Sequence, residues 1–174
     1  MSNQVMIYTG IGSRETPDNV LSLMCGIAQK LAAEGYTLRS GGANGADSAF
    51  EAGCNSLRGT KEIYLPWRKF NGHGSYLFNV SETALEIASK FHPGWRFCSD
   101  GARKLHARNV YQVLGQDLKT PSQLVICWTR EASGKGGTGQ AIRIARHYGI
   151  PIHDLGDSRV LKAYAERLLA PSRA

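Results

Sequence analysis

Short continuous apolar runs alternate along the chain with stretches in which apolar residues recur every three or four positions. Val5-Met6-Ile7-Tyr8, Tyr36-Thr37-Leu38-Arg39, Lys61-Glu62-Ile63-Tyr64-Leu65, Ser122 through Trp128 and Ile150-Pro151-Ile152-His153 read as strands, the apolar runs having the character of strands buried on both faces of a sheet. Between the first two, Val20, Leu23, Met24, Ile27 and Leu31 fall at i, i+3, i+4, i+7 and i+11 behind the helix-start signature Thr16-Pro17-Asp18, and Gly35 closes the helix. Further helices are predicted over 46–57, 81–91, 102–118 and 140–148. A last amphipathic helix carries Leu161, Tyr164, Leu168 and Leu169, and the tail from Pro171 is expected to fray. Strand and helix in alternation predict an α/β fold: a Rossmann-like, doubly wound, mainly parallel sheet in three layers, forming a single domain over residues 1–174.

Residues 66–100 interrupt this rhythm with Trp67, Phe70, Tyr76, Phe78, Phe91, Trp95 and Phe97. An aromatic-rich insert of this kind is a packed cover or a ligand wall, with packing the simpler role, and it is also a candidate surface for self-association.

Composition narrows the class. With 174 residues, 42% of them hydrophobic, the chain can bury a core of its own. No run reaches membrane-spanning length and the first residues lack the order of a signal peptide, so a soluble cytoplasmic protein is expected. Cys25, Cys54, Cys98 and Cys127 stand far apart, without C-x-x-C pairing, and read as reduced thiols. His73 and His92 have no partner at ligand spacing, so neither metal nor cofactor is expected. The net charge of +7 favours anionic partners, nucleotide or nucleic acid.

Candidate chemistry gathers where strands hand over to helices. Gly10-Ile11-Gly12-Ser13-Arg14, Ser40-Gly41-Gly42-Ala43-Asn44-Gly45 and Gly134-Lys135-Gly136-Gly137-Thr138-Gly139 each follow a strand. Glycine lets backbone N–H groups approach an anion closely, and a helix start behind them carries partial positive charge. In an open parallel sheet such loops share the carboxyl edge, where ligands bind. The first loop, G-I-G-S-R-E, lacks the third glycine of G-x-G-x-x-G and no loop has the Walker order, which disfavours magnesium-dependent nucleotide hydrolysis and leaves a phosphate held by backbone amides. Arg14 is placed to reach a phosphate or stack on a base, and Lys135 to neutralise the same phosphate. On the helix that follows, His106 and Arg108 are about 200° apart while Lys104 shares the face of Arg108. That geometry assigns Arg108 to the site, with Asn109 at its edge, and leaves His106 to packing or capping. Asp47 and Glu51, four residues apart, share one helix face.

Gly12-Ser13-Arg14, then Ser40-Gly41-Gly42-Ala43 with Gly45-Ala46-Asp47, then Pro66-Trp67, Arg108-Asn109 and Gly136-Gly137-Thr138, taken together, resemble the SLOG superfamily of Rossmann-like proteins. This group includes the DNA-processing protein DprA/Smf and the Lonely Guy (LOG) cytokinin-activating hydrolases. The motif order is most similar to the small single-domain YspA/YpsA-like bacterial and phage branch, from about Tyr8 to Asp154. The resemblance implies a nucleotide or nucleotide-derived ligand at the carboxyl edge of the sheet, and self-association. LOG-like members cleave the N-glycosidic bond of nucleoside monophosphates with a signature P-G-G-x-G-T-x-x-E. Here Ala141 stands at the glutamate, and Asn109 at the lysine of their M-H-x-R-K.

Departure of a base leaves an oxocarbenium-like sugar that needs a carboxylate nearby. Asp47 and Glu51 are the candidates to supply it, with Arg108 beside them. Three functions follow in order: capture of a nucleotide-type ligand by a sensor or sequestering protein; N-glycosidic hydrolysis of a nucleoside monophosphate; and DprA-like binding of single-stranded DNA. In the first two, Gly12, Ser13, Arg14, Ser40, Gly41, Gly42, Ala43, Asn109, Gly136, Gly137 and Thr138 hold the ligand.

Overall fold

The structure, a computed structural model, describes residues 4–171. Its five strands are β1 (Ile7–Gly10), β2 (Thr37–Ser40), β3 (Lys61–Ile63), β4 (Leu124–Cys127) and β5 (Ile152–Asp154). They form one sheet in the order β3-β2-β1-β4-β5, and every pairing is parallel. The direction of winding reverses between β1 and β4, and that pair defines the switch point of the sheet.

Six helices cover the two faces: α1 (Asp18–Ala33), α2 (Ala46–Ser56), α3 (Glu82–Phe91), α4 (Asp100–Leu114), α5 (Gly137–His147) and α6 (Ser158–Leu169). On one face Val20, Met24 and Ile27 of α1 and Phe50 of α2 pack on Tyr8, Leu38 and Ile126, with α6 supplying Leu161, Tyr164 and Leu168. On the other, Ala84 and Ala88 of α3, Val110, Val113 and Leu114 of α4 and Ile142 and Ile144 of α5 pack on Val125 and Cys127. Two cores on one sheet make the three layers that the strand–helix alternation predicts. The buried charged residue of β2, Arg39, is satisfied: Nε meets Glu62 at 2.7 Å and Nη1 donates to the Thr120 carbonyl at 2.6 Å. Among the described residues no helix is long and apolar enough to cross a membrane.

Element ends depart from the sequence expectation for local reasons. β1 starts later and runs on to Gly10, because its backbone pairs with β2 and β4 up to the loop. α4 stops at Leu114 rather than Leu118, because Gly115 takes φ +80° and Leu118 lies beyond it in a turn. α5 starts at Gly137, three residues early, because the glycine loop itself supplies the first helical turn behind Gly136 at φ +77°. Fraying of the tail falls on residues 172–174, outside the described residues.

The insert is packed only in part. Leu77, Val80, Leu85, Phe91 and Trp95 pack against the core, whereas Tyr76 and Phe97 are exposed. Within it α3 is capped by Ser81, which accepts from the Ala84 amide at 3.1 Å. Outside α3 the insert also holds two single 3-10 turns, Phe70–Gly72 and Trp95–Phe97. Cys54 and Cys127 are buried, Cys25 and Cys98 partly so, and all four are free thiols.

Candidate functional site

A cavity of about 660 Å³ opens beyond the carboxyl ends of β1 and β4. The loop leaving β1 supplies Gly12, Ser13 and Arg14, the loop behind β2 supplies Ala43 and Asp47, and the start of α5 supplies Gly136, Gly137 and Thr138. Arg108 and Asn109 of α4 complete the ring of predicted residues. A smaller recess of about 310 Å³ adjoins it, walled by Arg14, Ala43, Asn44, Trp67, Phe70 and Asn71.

The β1 loop is fixed from within. Ser13 carbonyl accepts from the Thr16 hydroxyl at 2.6 Å and the Ser13 hydroxyl accepts from the Glu15 amide at 3.0 Å. Arg14, at the tip, remains exposed at the mouth. In the β2 loop the Ser40 hydroxyl donates to the Gly10 carbonyl at 2.7 Å and locks the two loops together. Asp47 lies in the first turn of α2, buried, and its carboxylate accepts from the Ala43 amide at 3.2 Å. Burial pushes its carboxyl up to about 6, against the pull of the Arg108 charge and of the Ala43 and Gly12 amides.

Arg108 is buried beneath this loop. Its Nη1 donates to the Gly41 carbonyl and, at 3.4 Å, to that of Tyr64, while Nε meets Asn109 Oδ1 at 3.3 Å. Burial draws its pKa down, Asp47 draws it up and Arg14 lowers it again. Nη2 has no partner among the described residues. A methyl group at Gly41 would collide with the Arg108 guanidinium and the Gln112 amide, and both would have to move. On the opposite wall α5 begins without a side-chain cap, so the amides of Gly137 and Thr138 are free to face an anion. Asn109 Nδ2 donates to the Gly137 carbonyl at 3.0 Å and ties that wall to α4.

Not every predicted residue reaches the cavity. Ser40, Gly41 and Gly42 shape the loop from behind, and Gly42 takes φ +68°. Glu51 turns away: His73 holds it at 2.8 Å and Lys61 at 3.2 Å. A shared helix face was too coarse a criterion, since Asp47 lies at the loop and Glu51 a full turn beyond it. Lys104 lies in a separate groove with Glu82, Glu86 and Trp95. His106 does line the cavity, contrary to the helical-wheel argument. α4 presents Ala102, Leu105, His106, Arg108, Asn109 and Gln112 to it, a stripe of about 160° with His106 and Arg108 at its two edges; the 200° separation is the same arc measured the other way.

Sequence reasoning missed Gln112 and the grouping of His92, Cys98 and His106. Gln112 is buried against the cavity with an unpartnered Oε1. Its position four residues after Arg108 was the available signal.

No family model and no curated protein matches the chain. Solved structures do. The molybdenum cofactor binding protein from Rippkaea orientalis superposes with a TM-score of 0.60 at 20% identity, over 96% of this chain and 86% of that one. The molybdenum cofactor carrier protein of Chlamydomonas reinhardtii gives 0.56 at 15% identity, over 95% and 85%. DNA processing protein A of Streptococcus pneumoniae gives 0.58 at 17% identity, over 94% of this chain and 56% of that one. The chain shares the Rossmann-like fold of these proteins. Ala141, which the sequence resemblance sets at the LOG glutamate, lies on the buried face of α5 in the core and does not line the cavity.

Proposed function

We propose that this protein captures a nucleotide-type, phosphate-bearing small molecule in the cavity between β1 and β4 and holds it without cleaving it, as a sensor or sequestering protein. The observation that carries this reading is the uncapped start of α5 facing a buried arginine with a spare Nη2 across the cavity. The phosphate sits on the Gly137 and Thr138 amides and the free edge of Arg108. The planar part of the ligand extends along the wall that Gln112 helps to form, or into the recess between Arg14, Trp67 and Phe70. Two of the structural neighbours are described as a carrier and a binding protein for a small cofactor, which supports capture over turnover.

Incubation with a panel of nucleoside monophosphates and ADP-ribose-type compounds, followed by chromatography, tests the reading. Tight binding with intact ligand recovered is expected. Equal binding after Arg14→Ala and Arg108→Gln would remove the site from this cavity.

Asp47 favours a second reading. A cavity carboxyl pushed up to about 6 is suited to proton transfer near neutral pH, so Asp47 in its ionised form activates water in an N-glycosidic hydrolase. Release of free base that rises with pH through about 6 and disappears in Asp47→Asn decides for it. Single-stranded DNA binding, the activity described for the Helicobacter pylori DprA neighbour, has less to draw on. Arg143 is committed inward, to the Phe91 carbonyl at 2.7 Å and Gln140 at 2.8 Å, and Arg159 is paired with Asp157. A steep salt dependence of DNA affinity requiring Arg146 would restore it. Cytoplasmic location and self-association through the insert belong to the same proposal; sedimentation of the purified chain tests the latter.

A further inference from the structure

Beside the cavity, three soft ligand groups meet that phosphate capture does not use. His92 ends α3, Cys98 ends the 3-10 turn Trp95–Phe97, and His106 stands on α4. Their ligand atoms lie within 4.8 Å of one another. Cys98 Sγ is 3.8 Å from His92 Nδ1, and the two imidazoles have centroids 4.1 Å apart, tilted by 46°. In a tetrahedral site with metal–sulfur bonds of about 2.3 Å and metal–nitrogen bonds of about 2.0–2.1 Å, the sulfur–nitrogen edge is roughly 3.6 Å. The thiol and the first imidazole already stand near that spacing, and rotation of side chains closes the two edges to His106.

Other observations point to a ligand here. His106 Nδ1 is buried and has no hydrogen-bond partner, whereas buried ring nitrogens are ordinarily bonded. The trio contains no carboxylate, so a hard cation has no oxygen ligand there; the one negative charge it can offer is a thiolate. With arginines close by, a cation whose charge the thiolate cancels wholly or by half is the one the surroundings accept.

We propose that His92, Cys98 and His106 form a binding site for a thiophilic closed-shell cation, zinc(II) or copper(I). Binding releases the Cys98 thiol proton to solvent and displaces two weak loop contacts: the Gly94 amide on His92 Nδ1 at 3.1 Å and the Cys98 thiol on the Gly94 carbonyl at 3.5 Å. The site stands whatever the cavity holds. Since His106 also lines the cavity, the cation sits at its edge.

Titration of the reduced, chelator-stripped chain separates the two cations: zinc(II) against a chromogenic chelator, copper(I) against bicinchoninate under reductant, and cobalt(II) as a spectroscopic stand-in for zinc. One equivalent per chain is expected for at least one cation, with a sulfur-to-cobalt charge-transfer band in the zinc arm. Cys98→Ser and His92→Gln should each weaken binding at least about 100-fold, more than loss of a supporting contact around a metal, and Cys25→Ser should change nothing. In the unmutated chain one equivalent of the cation should slow alkylation of Cys98, read by mass spectrometry, which keeps the test independent of how the variants fold. Absence of stoichiometric binding by either cation, or binding that survives both ligand substitutions, overturns the proposal.

Discussion

Two glycine loops of similar composition stand on opposite sides of one cavity and are used in opposite ways. The loop from Ser40 to Asp47 is turned inward: its carbonyl at Gly41 receives Arg108, its hydroxyl at Ser40 grips β1, and its amide at Ala43 is met by the Asp47 carboxylate. The cradle is filled by an anion from its own chain. The loop from Gly134 to Gly139 leads into α5 with no side-chain cap, and while Gly134, Lys135 and Gly139 have partners for their amides, those of Gly136, Gly137 and Thr138 are left for something from outside. Glycine content identifies where backbone can approach an anion; whether the protein already supplies that anion is decided by one neighbouring acid, present at position 47 and absent from the first turn of α5.

Substitutions can break this contrast. The largest effect is expected at Gly41, where alanine forces Arg108 and Gln112 aside; denaturant unfolding should show a loss of about 2–3 kcal/mol, typical of overpacking, together with loss of ligand. Gly137→Asp fills the second cradle as Asp47 fills the first. No heavy atom stands within 4 Å of where its Cβ would begin, and an acid at a helix start stabilises by about 0.3–1 kcal/mol. Stability should therefore hold or rise while affinity for a phosphate-bearing ligand such as AMP falls at least about 100-fold, or roughly 2.7 kcal/mol by calorimetry.

Asp47→Asn empties the first cradle of charge. The raised carboxyl means the folded protein holds this proton more tightly than the unfolded chain. Its favourable contribution is complete below about pH 4 and is lost as pH rises through about 6. The asparagine variant should thus be more stable than the parent by about 1–3 kcal/mol at pH 8 and nearly equal to it at pH 4. An unchanged difference between the two pH values would mean the carboxylate is better solvated than its burial implies. The smallest effect is expected from Glu51→Gln, which loosens the pairs with His73 and Lys61 at a cost of about 1 kcal/mol or less and leaves ligand affinity as it was.

The strands, their parallel pairing and the three loops were legible because each rests on local chemistry: apolar runs where both faces are buried, glycine where the backbone turns or is approached. Ten of the predicted residues line the cavity for that reason, Gly12 and Thr138 among them. What was hidden depends on packing between elements distant in sequence. His92 and Cys98 meet His106 only because α3 docks on α4 across the insert, and no spacing along the chain announces it. Glu51 was misplaced because helix periodicity gives direction but not depth, and His73, twenty-two residues on, decides where it points.

The position of β1 in the sheet carries one more consequence, for the order of assembly. β1 pairs with β2 about thirty residues away and with β4 about 116 residues away, at Tyr8 and Leu124. Closing the longer loop costs more entropy, and non-local pairing slows folding. The half built from β1, β2 and β3 can form while the chain is still incomplete, but the cavity has no second wall until β4 and α5 dock. Binding competence is thus expected to arise at the last step of refolding. Pulse-labelled hydrogen exchange should find β4 amides protected after those of β2, with ligand capture following the later phase.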